Sequence, residues 1–202
     1  MSHFKRDCLP IVAAAQSSVD HWQDVALFVV GTIQQQFSVM PVIIADIRAL
    51  GVDSRFLFGS KRESYRYLQA NREALWNKAR VCHAGQITLD RLIFEYLAVP
   101  GIGLAKASFL SQLTTGQGAC LDTHNLTRLG ITAFRSVNAL KPQTVLHKIE
   151  SYNAAWRAHG TSESFWNQWC DYLAAKLPRT YQDGAHVSRL HRAAIKESYW
   201  NT

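Results

Sequence analysis

At 202 residues the chain is long enough to bury one core, or two small lobes that share an interface, and one compact unit is the default reading. Its 22 Lys and Arg against 15 Asp and Glu leave a formal net charge of +7, which suits a polyanionic partner without requiring one. Cys8, Cys82, Cys120 and Cys170 are scattered with no C-x-x-C pair, which excludes the spacing of a zinc site or a four-cysteine iron–sulfur cluster and predicts reduced thiols.

The chain opens MSHFKRDCLP, without the apolar h-region of a signal peptide, and its longest apolar runs, such as DVALFVVG, are too short to span a bilayer. The expectation is a soluble intracellular protein, cytoplasmic, with no membrane partner. Period-2 alternation is scarce and apolar residues recur mostly at helical spacing, which predicts an all-α fold. A first helix is expected over 8–17. A second is expected over 19–36, with Trp22, Val25, Ala26, Val29 and Ile33 on one apolar stripe. MPVIIADIRALGV reads as a short helix capped by Gly51. Ser60-Lys61-Arg62-Glu63 matches a capping box opening a helix over 60–83. The exposed face of that helix is expected to carry Lys61, Arg62, Arg66, Arg72, Lys78 and Arg80, as a binding surface or simply a solvated one. TLDRLIFEYLA, with Thr88 as cap, and LAKASFLSQL follow. Later helices are expected over 122–129, 141–159, 162–176 and 184–198.

Between two of these helices lies VPGIGLAKA, residues 99–107. A short Gly-x-Gly hairpin at a helix N-terminus can turn successive backbone N–H groups outward, an arrangement that suits phosphate. Glycine at 101 and 103 would let an anion approach closely and would tolerate left-handed backbone angles. A plain helix–helix connection is the competing reading. Nineteen residues after Gly103 the chain reads LDTHNLTRLG, in which Asp122 is an N-cap for the next helix, a carboxylate for chemistry, or both.

Taken together, VPGIGLAKASF and LDTHNLTRLG resemble the helix-hairpin-helix DNA glycosylase superfamily, where a Leu-Pro-Gly-Val-Gly-type hairpin is followed at a similar distance by a Val-Asp-Thr-His-Val-x-Arg segment. LFVVGTIQQQFSV looks like the family's apolar helix ending in a Ser-Gln-Gln-Thr segment that lines the DNA, and FWNQWCDYLAAK matches a later helix more weakly, so the resemblance covers residues 20–176. It implies a single two-lobed helical unit. One lobe, a helical barrel over 37–140, would carry the helix-hairpin-helix at 89–114, and the N-terminal and C-terminal helices would form the other. It implies duplex DNA as partner, a monomer, and no cofactor or metal. Gly101, Gly103, Lys106, Gln34, Gln35, Gln36, His124 and Arg128 become DNA contacts, and Asp122 the catalytic carboxylate. A polar helix end is the competing reading of the Gln triplet.

The chemistry so implied starts with a nucleotide flipped out of the stack. Losing its base leaves an oxocarbenium-like sugar, which a carboxylate stabilises as the charge develops, and the same carboxylate can activate water. Bifunctional members place a Schiff-base lysine two residues after the second hairpin glycine; here that position is Ala105. Lys106 stands one residue later, turned by about 100° on a helix, so it is expected to point away from the site, as a phosphate contact or a solvated side chain. Monofunctional excision is the leading expectation. Two alternatives stay open: a glycosylase-fold transferase joining an amino acid or amine to an activated hydroxymethyl-uracil in phage DNA, and a non-catalytic DNA-binding module. The tail DGAHVSRLHRAAIKESYW holds His186, Arg189, His191 and Arg192, either backbone contacts or a solvated helix. Trp156, Trp166, Trp169 and Trp200 read as interhelical packing or as base-stacking platforms.

Overall fold

The structure, a computed structural model, describes residues 2–33, 39–132, 134, 137 and 141–176. Among them every regular element is helical, as the all-α reading expects. A π-helical turn at Phe4–Cys8 leads into α1 (Leu9–Ser17), α2 (Val19–Gly31), α3 (Met40–Leu50), a 3-10 turn at Gly51–Asp53, and α4 (Ser60–His83). Then come α5 (Leu89–Tyr96), α6 (Leu104–Thr115), α7 (Thr123–Leu129), α8 (Pro142–Arg157) and α9 (Ser162–Lys176). No helix among the described residues is long and apolar enough to cross a membrane.

The helix α2 is the axis of the molecule. The expected stripe of Trp22, Val25, Ala26 and Val29 is buried, but Leu27, Phe28 and Val30 on the other faces are buried too. The reason is that α1, α3, α4 and α6 all pack against it, so no face is left for solvent beyond the first turns. Trp22 Nε1 donates to the Tyr96 hydroxyl at 3.2 Å, and that hydroxyl pairs with Thr114 Oγ1 at 3.1 Å, joining α2, α5 and α6 through a buried polar chain. Ser18 caps α2, accepting from His21 N–H at 3.1 Å, and Thr88 caps α5 as expected, accepting from Arg91 N–H at 3.2 Å. Gly51 ends α3 with φ at 55°, again as expected.

Four expectations are corrected. First, α2 stops at Gly31, where Thr32 N–H bonds the Phe28 carbonyl and the Thr32 hydroxyl bonds the Val29 carbonyl at 2.6 Å, closing the last turn with its own side chain. Gln34, Gln35 and Gln36 lie outside the described residues, as do Trp200, the tail histidines and arginines, and the helix expected over 184–198. Second, the capping box does not form: Ser60 is the first helical residue of α4, and Gly59 holds the cap position without a side-chain bond. Third, α8 begins at Pro142, whose missing N–H is no loss at a helix start, and ends two residues before the expected 159. Fourth, Lys61 does not stand on the exposed face of α4; it is 2% exposed, whereas Arg62, Arg66 and Arg80 are exposed.

Trp156 and Trp166 are buried, and Trp169 packs between Phe109 and Trp166 with ring centroids 5.9 and 6.0 Å away, so these rings serve interhelical packing. Cys8, Cys82 and Cys170 are buried free thiols. The N-terminal π turn lies on α9, where Phe4 N–H donates to Asn167 Oδ1 at 2.9 Å.

Candidate functional site

The hairpin begins where α5 ends. Val99 and Ile102 are buried and anchor it, and Ile102 N–H closes the turn on the Val99 carbonyl at 3.1 Å. Pro100 followed by a positive-φ glycine fits a type II turn. Gly101 is required twice over: its φ is 74°, and a Cβ there would meet Ser60 Oγ at 2.8 Å. Ser64 Oγ also donates to the Pro100 carbonyl, so the hairpin is seated on the first turns of α4. That seating explains the missing capping box, because Ser60 faces the hairpin. Gly103 is different. Its φ of −99° suits any residue and a Cβ there would meet nothing within 4 Å, so neither backbone nor packing demands glycine. It is exposed at the N-cap of α6, whose first N–H groups have no intrahelical acceptor, and the space before them is open.

Between α6 and Asp122 the chain reverses. Gly116 ends α6 with φ at 78°. Gly118 then passes so close to α6 that a Cβ would sit 2.7 Å from the Ser108 carbonyl oxygen. Ala119 N–H donates to Ser108 Oγ at 3.0 Å, which fixes the register of the return. From α8, the Tyr152 hydroxyl accepts from Leu121 N–H at 2.7 Å and donates to the Ala119 carbonyl at 2.8 Å. These contacts hold the return against the side of α6 at Ser108 and against α8 at Tyr152.

Asp122 caps α7, its Oδ1 accepting from Asn125 N–H at 3.0 Å. Its second carboxylate oxygen takes no hydrogen bond from the described residues. Asn125 is buried and steadies the turn, donating to the Cys120 carbonyl at 2.7 Å. Cys120 reports on the neighbourhood: burial pushes its thiol up to about 12, the Lys106 ammonium pulls it down, and the Asp122 carboxylate pushes it up. Lys106 and Asp122 are thus both within electrostatic reach of the same thiol. The Lys106 ammonium donates to Thr32 Oγ1 at 2.9 Å, at the end of α2. Ala105 is half-buried beside it.

His124 and Arg128 engage elsewhere. His124 Nδ1 shares a 2.8 Å hydrogen bond with the Tyr172 hydroxyl, and Arg128 donates to Asn125 Oδ1 at 3.0 Å with its guanidinium 5.9 Å from the Phe165 ring. Both line a cavity of about 350 Å³ with Trp169 and Tyr172, on the side of α7 that faces α9.

Two residues escaped the sequence reading. One is Lys61, whose burial no charge pattern announces. The other is Asp24, which lines a cavity of about 510 Å³ with Asp20, His21, Arg48, Tyr65 and Gln69 at the opposite end of α2. Burial pushes the Asp24 carboxyl up to about 8 against the pull of Arg48, and Asp20 one turn earlier adds to the rise. Compared with known proteins, the chain matches no protein family, no curated protein and no solved structure.

Two predictions follow from these contacts. Tyr152→Phe removes the hydroxyl that holds both ends of Leu121's peptide neighbourhood, and is expected to cost about 1–3 kcal/mol in chemical denaturation and to speed hydrogen exchange at the Leu121 amide. For Asp24, the folded state keeps a proton that the unfolded chain releases between about 3.8 and about 8, so stability falls as pH rises through that window. Asp24→Asn should flatten that decline, read as urea midpoints at the two ends of the window.

Proposed function

We propose that the protein is a DNA-binding enzyme that acts on a nucleotide flipped out of the duplex and cleaves its N-glycosidic bond without a covalent lysine intermediate. The observation that supports this reading is the doubling back of the chain after Gly116 along α6, which leads to a carboxylate with one oxygen that no described residue engages. On this reading Gly103 and the first N–H groups of α6 take a backbone phosphate, since their approach is unobstructed. A two-lobed arrangement, with the hairpin-bearing lobe over 37–140, belongs to the same proposal. The formal charge of +7 favours the polyanion.

The chemistry then assigns Asp122 two tasks. As the bond from C1′ to the base nitrogen breaks, the electron pair leaves with the base, and the carboxylate stabilises the positive charge on the sugar. Water adds at C1′ and passes its proton to the Asp122 oxygen that the cap leaves unengaged. Because Asn caps a helix as well as Asp does, Asp122→Asn keeps the α7 cap and removes only the negative charge. Ala105 offers a methyl group where a Schiff-base amine would stand, which favours water over lysine as nucleophile.

The test is incubation with duplexes carrying varied modified bases, followed by mass spectrometry of the products. Released base is the expected result, reduced by about 100-fold or more in Asp122→Asn while its melting temperature is retained. A gain of mass on the base would replace excision with group transfer, and an unchanged duplex bound in a salt-sensitive manner would leave a binding module. Borohydride is expected to trap no protein–DNA adduct. An adduct, or full activity in Asp122→Asn, would falsify the mechanism.

A further inference from the structure

Lys61 and Lys106 come from the first turns of α4 and α6, and the seating of the hairpin on α4 forces those two turns together. Lys61 is 2% exposed, and among the described residues its ammonium has one weak polar contact, 3.4 Å to the Gly31 carbonyl, with the Phe58 ring centroid 5.1 Å away. Lys106 reaches the same end of α2, bonding Thr32 Oγ1, with the Phe109 ring centroid 5.7 Å away. The two ammonium groups repel: burial and then Lys106 lower the proton affinity of Lys61. No described carboxylate forms an ion pair with either lysine.

A buried cation lacking a counter-charge is costly, and a second cation beside it raises the cost. The carbonyl end of α2 offers about half an elementary negative charge, far less than two ammonium groups carry. The positive ends of α4 and α6 lie beside the lysines, so the local field invites an anion twice over. Cys120 supplies no counter-charge near neutral pH, because its thiol is held up at about 12. The half-exposed Phe58 ring and the buried Phe109 ring flank the pair.

We propose that Lys61 and Lys106 together clamp one phosphate group at the junction of α2, α4 and α6. The inference rests on the nucleic-acid reading only for the source of that phosphate, which is a DNA backbone phosphodiester or a free phosphate. It requires no base chemistry. Lys61 neutralises the anion from the buried side and Lys106 from the half-buried side, where its present bond to Thr32 is exchangeable for one to a phosphate oxygen.

The experiment follows the side-chain nitrogen resonances of both lysines in the 15N-labelled protein, titrated separately with inorganic phosphate and with an unmodified duplex. Both resonances are expected to move together. Movement with duplex assigns a backbone phosphate, movement with inorganic phosphate alone assigns a free one, and movement with neither overturns the clamp. Where duplex binds, the double variant Lys61→Met with Lys106→Met should lower the slope of log affinity against log salt by about one, and each single variant by no more, since one phosphate serves both. A double variant that loses about two, or that loses nothing, would overturn it equally. Lys61→Met removes an unpaired buried charge and should melt no lower than the parent protein; the wild-type titration stands without it. Asp122→Asn should show the same shifts, so a failed clamp and a failed excision mechanism are read separately.

Discussion

The close passage of Gly118 over the Ser108 carbonyl is the contact on which the site depends. A helix followed by a free loop leaves its next functional residue anywhere on the surface. Here the loop is drawn down onto the helix it has just left, because the chain at 118 has no Cβ to hold it off and Ser108 Oγ captures the following amide. Tyr152 then clasps the segment from the outside, using one hydroxyl as acceptor and donor on peptides two residues apart. The result is that Asp122 is reached through backbone hydrogen bonds and caps α7 with one carboxylate oxygen, while no described residue engages the other.

The hairpin is fixed by the same logic from the other direction. Gly101 has to be glycine for the fold, since its φ and the nearness of Ser60 leave room for nothing larger. Gly103 faces neither demand. The two glycines of one short motif therefore divide between structure and access, and the access falls on the one beside the free N–H groups of α6. Seating the hairpin on α4 has a cost, because it presses Lys61 into the interior beside Lys106.

Much of this was legible in the sequence where the signal is local. Helices with strong periodicity and a capping residue, such as α5 behind Thr88, stand where the pattern puts them. The Asp122 cap is legible for the same reason, since an N-cap bond spans only three residues. What resisted reading depends on partners far along the chain. Ser60 has the capping-box spacing, yet it is turned to the hairpin, forty residues on, and does not cap α4. Lys61 looks like any basic residue of a polar helix until Gly31 is known to lie against it. Asp24 sits within an apolar helix with no local mark of its raised proton affinity, which arises from the cavity that α3 and α4 build around it. His124 and Arg128 share a motif with Asp122, but a helix turns successive residues to different neighbours, and theirs are on α9 and within α7.

The burial of α2 ties these features into one electrostatic arrangement. A helix enclosed on its flanks keeps its dipole unscreened, so the groups at its ends experience more of it than they would on a surface. In the first turn stands Asp20, an acid where the dipole favours negative charge, with Asp24 one turn further along the helix. At the C-terminal end the carbonyl of Gly31 and the hydroxyl of Thr32 meet two lysines, cations where it favours positive charge. The signs are right at both ends, but Asp20 is already paired with Arg72 at 2.9 Å, whereas the two lysines carry more charge than half a unit of dipole balances. At Asp24 the cost of burial is relieved by holding a proton. At the lysine pair, repulsion lowers the proton affinity of Lys61 but leaves Lys106 beside it, so proton release gives partial relief and an incoming anion gives the rest. The same rod that organises the core thus leaves one end satisfied by solvent protons and the other open to a ligand.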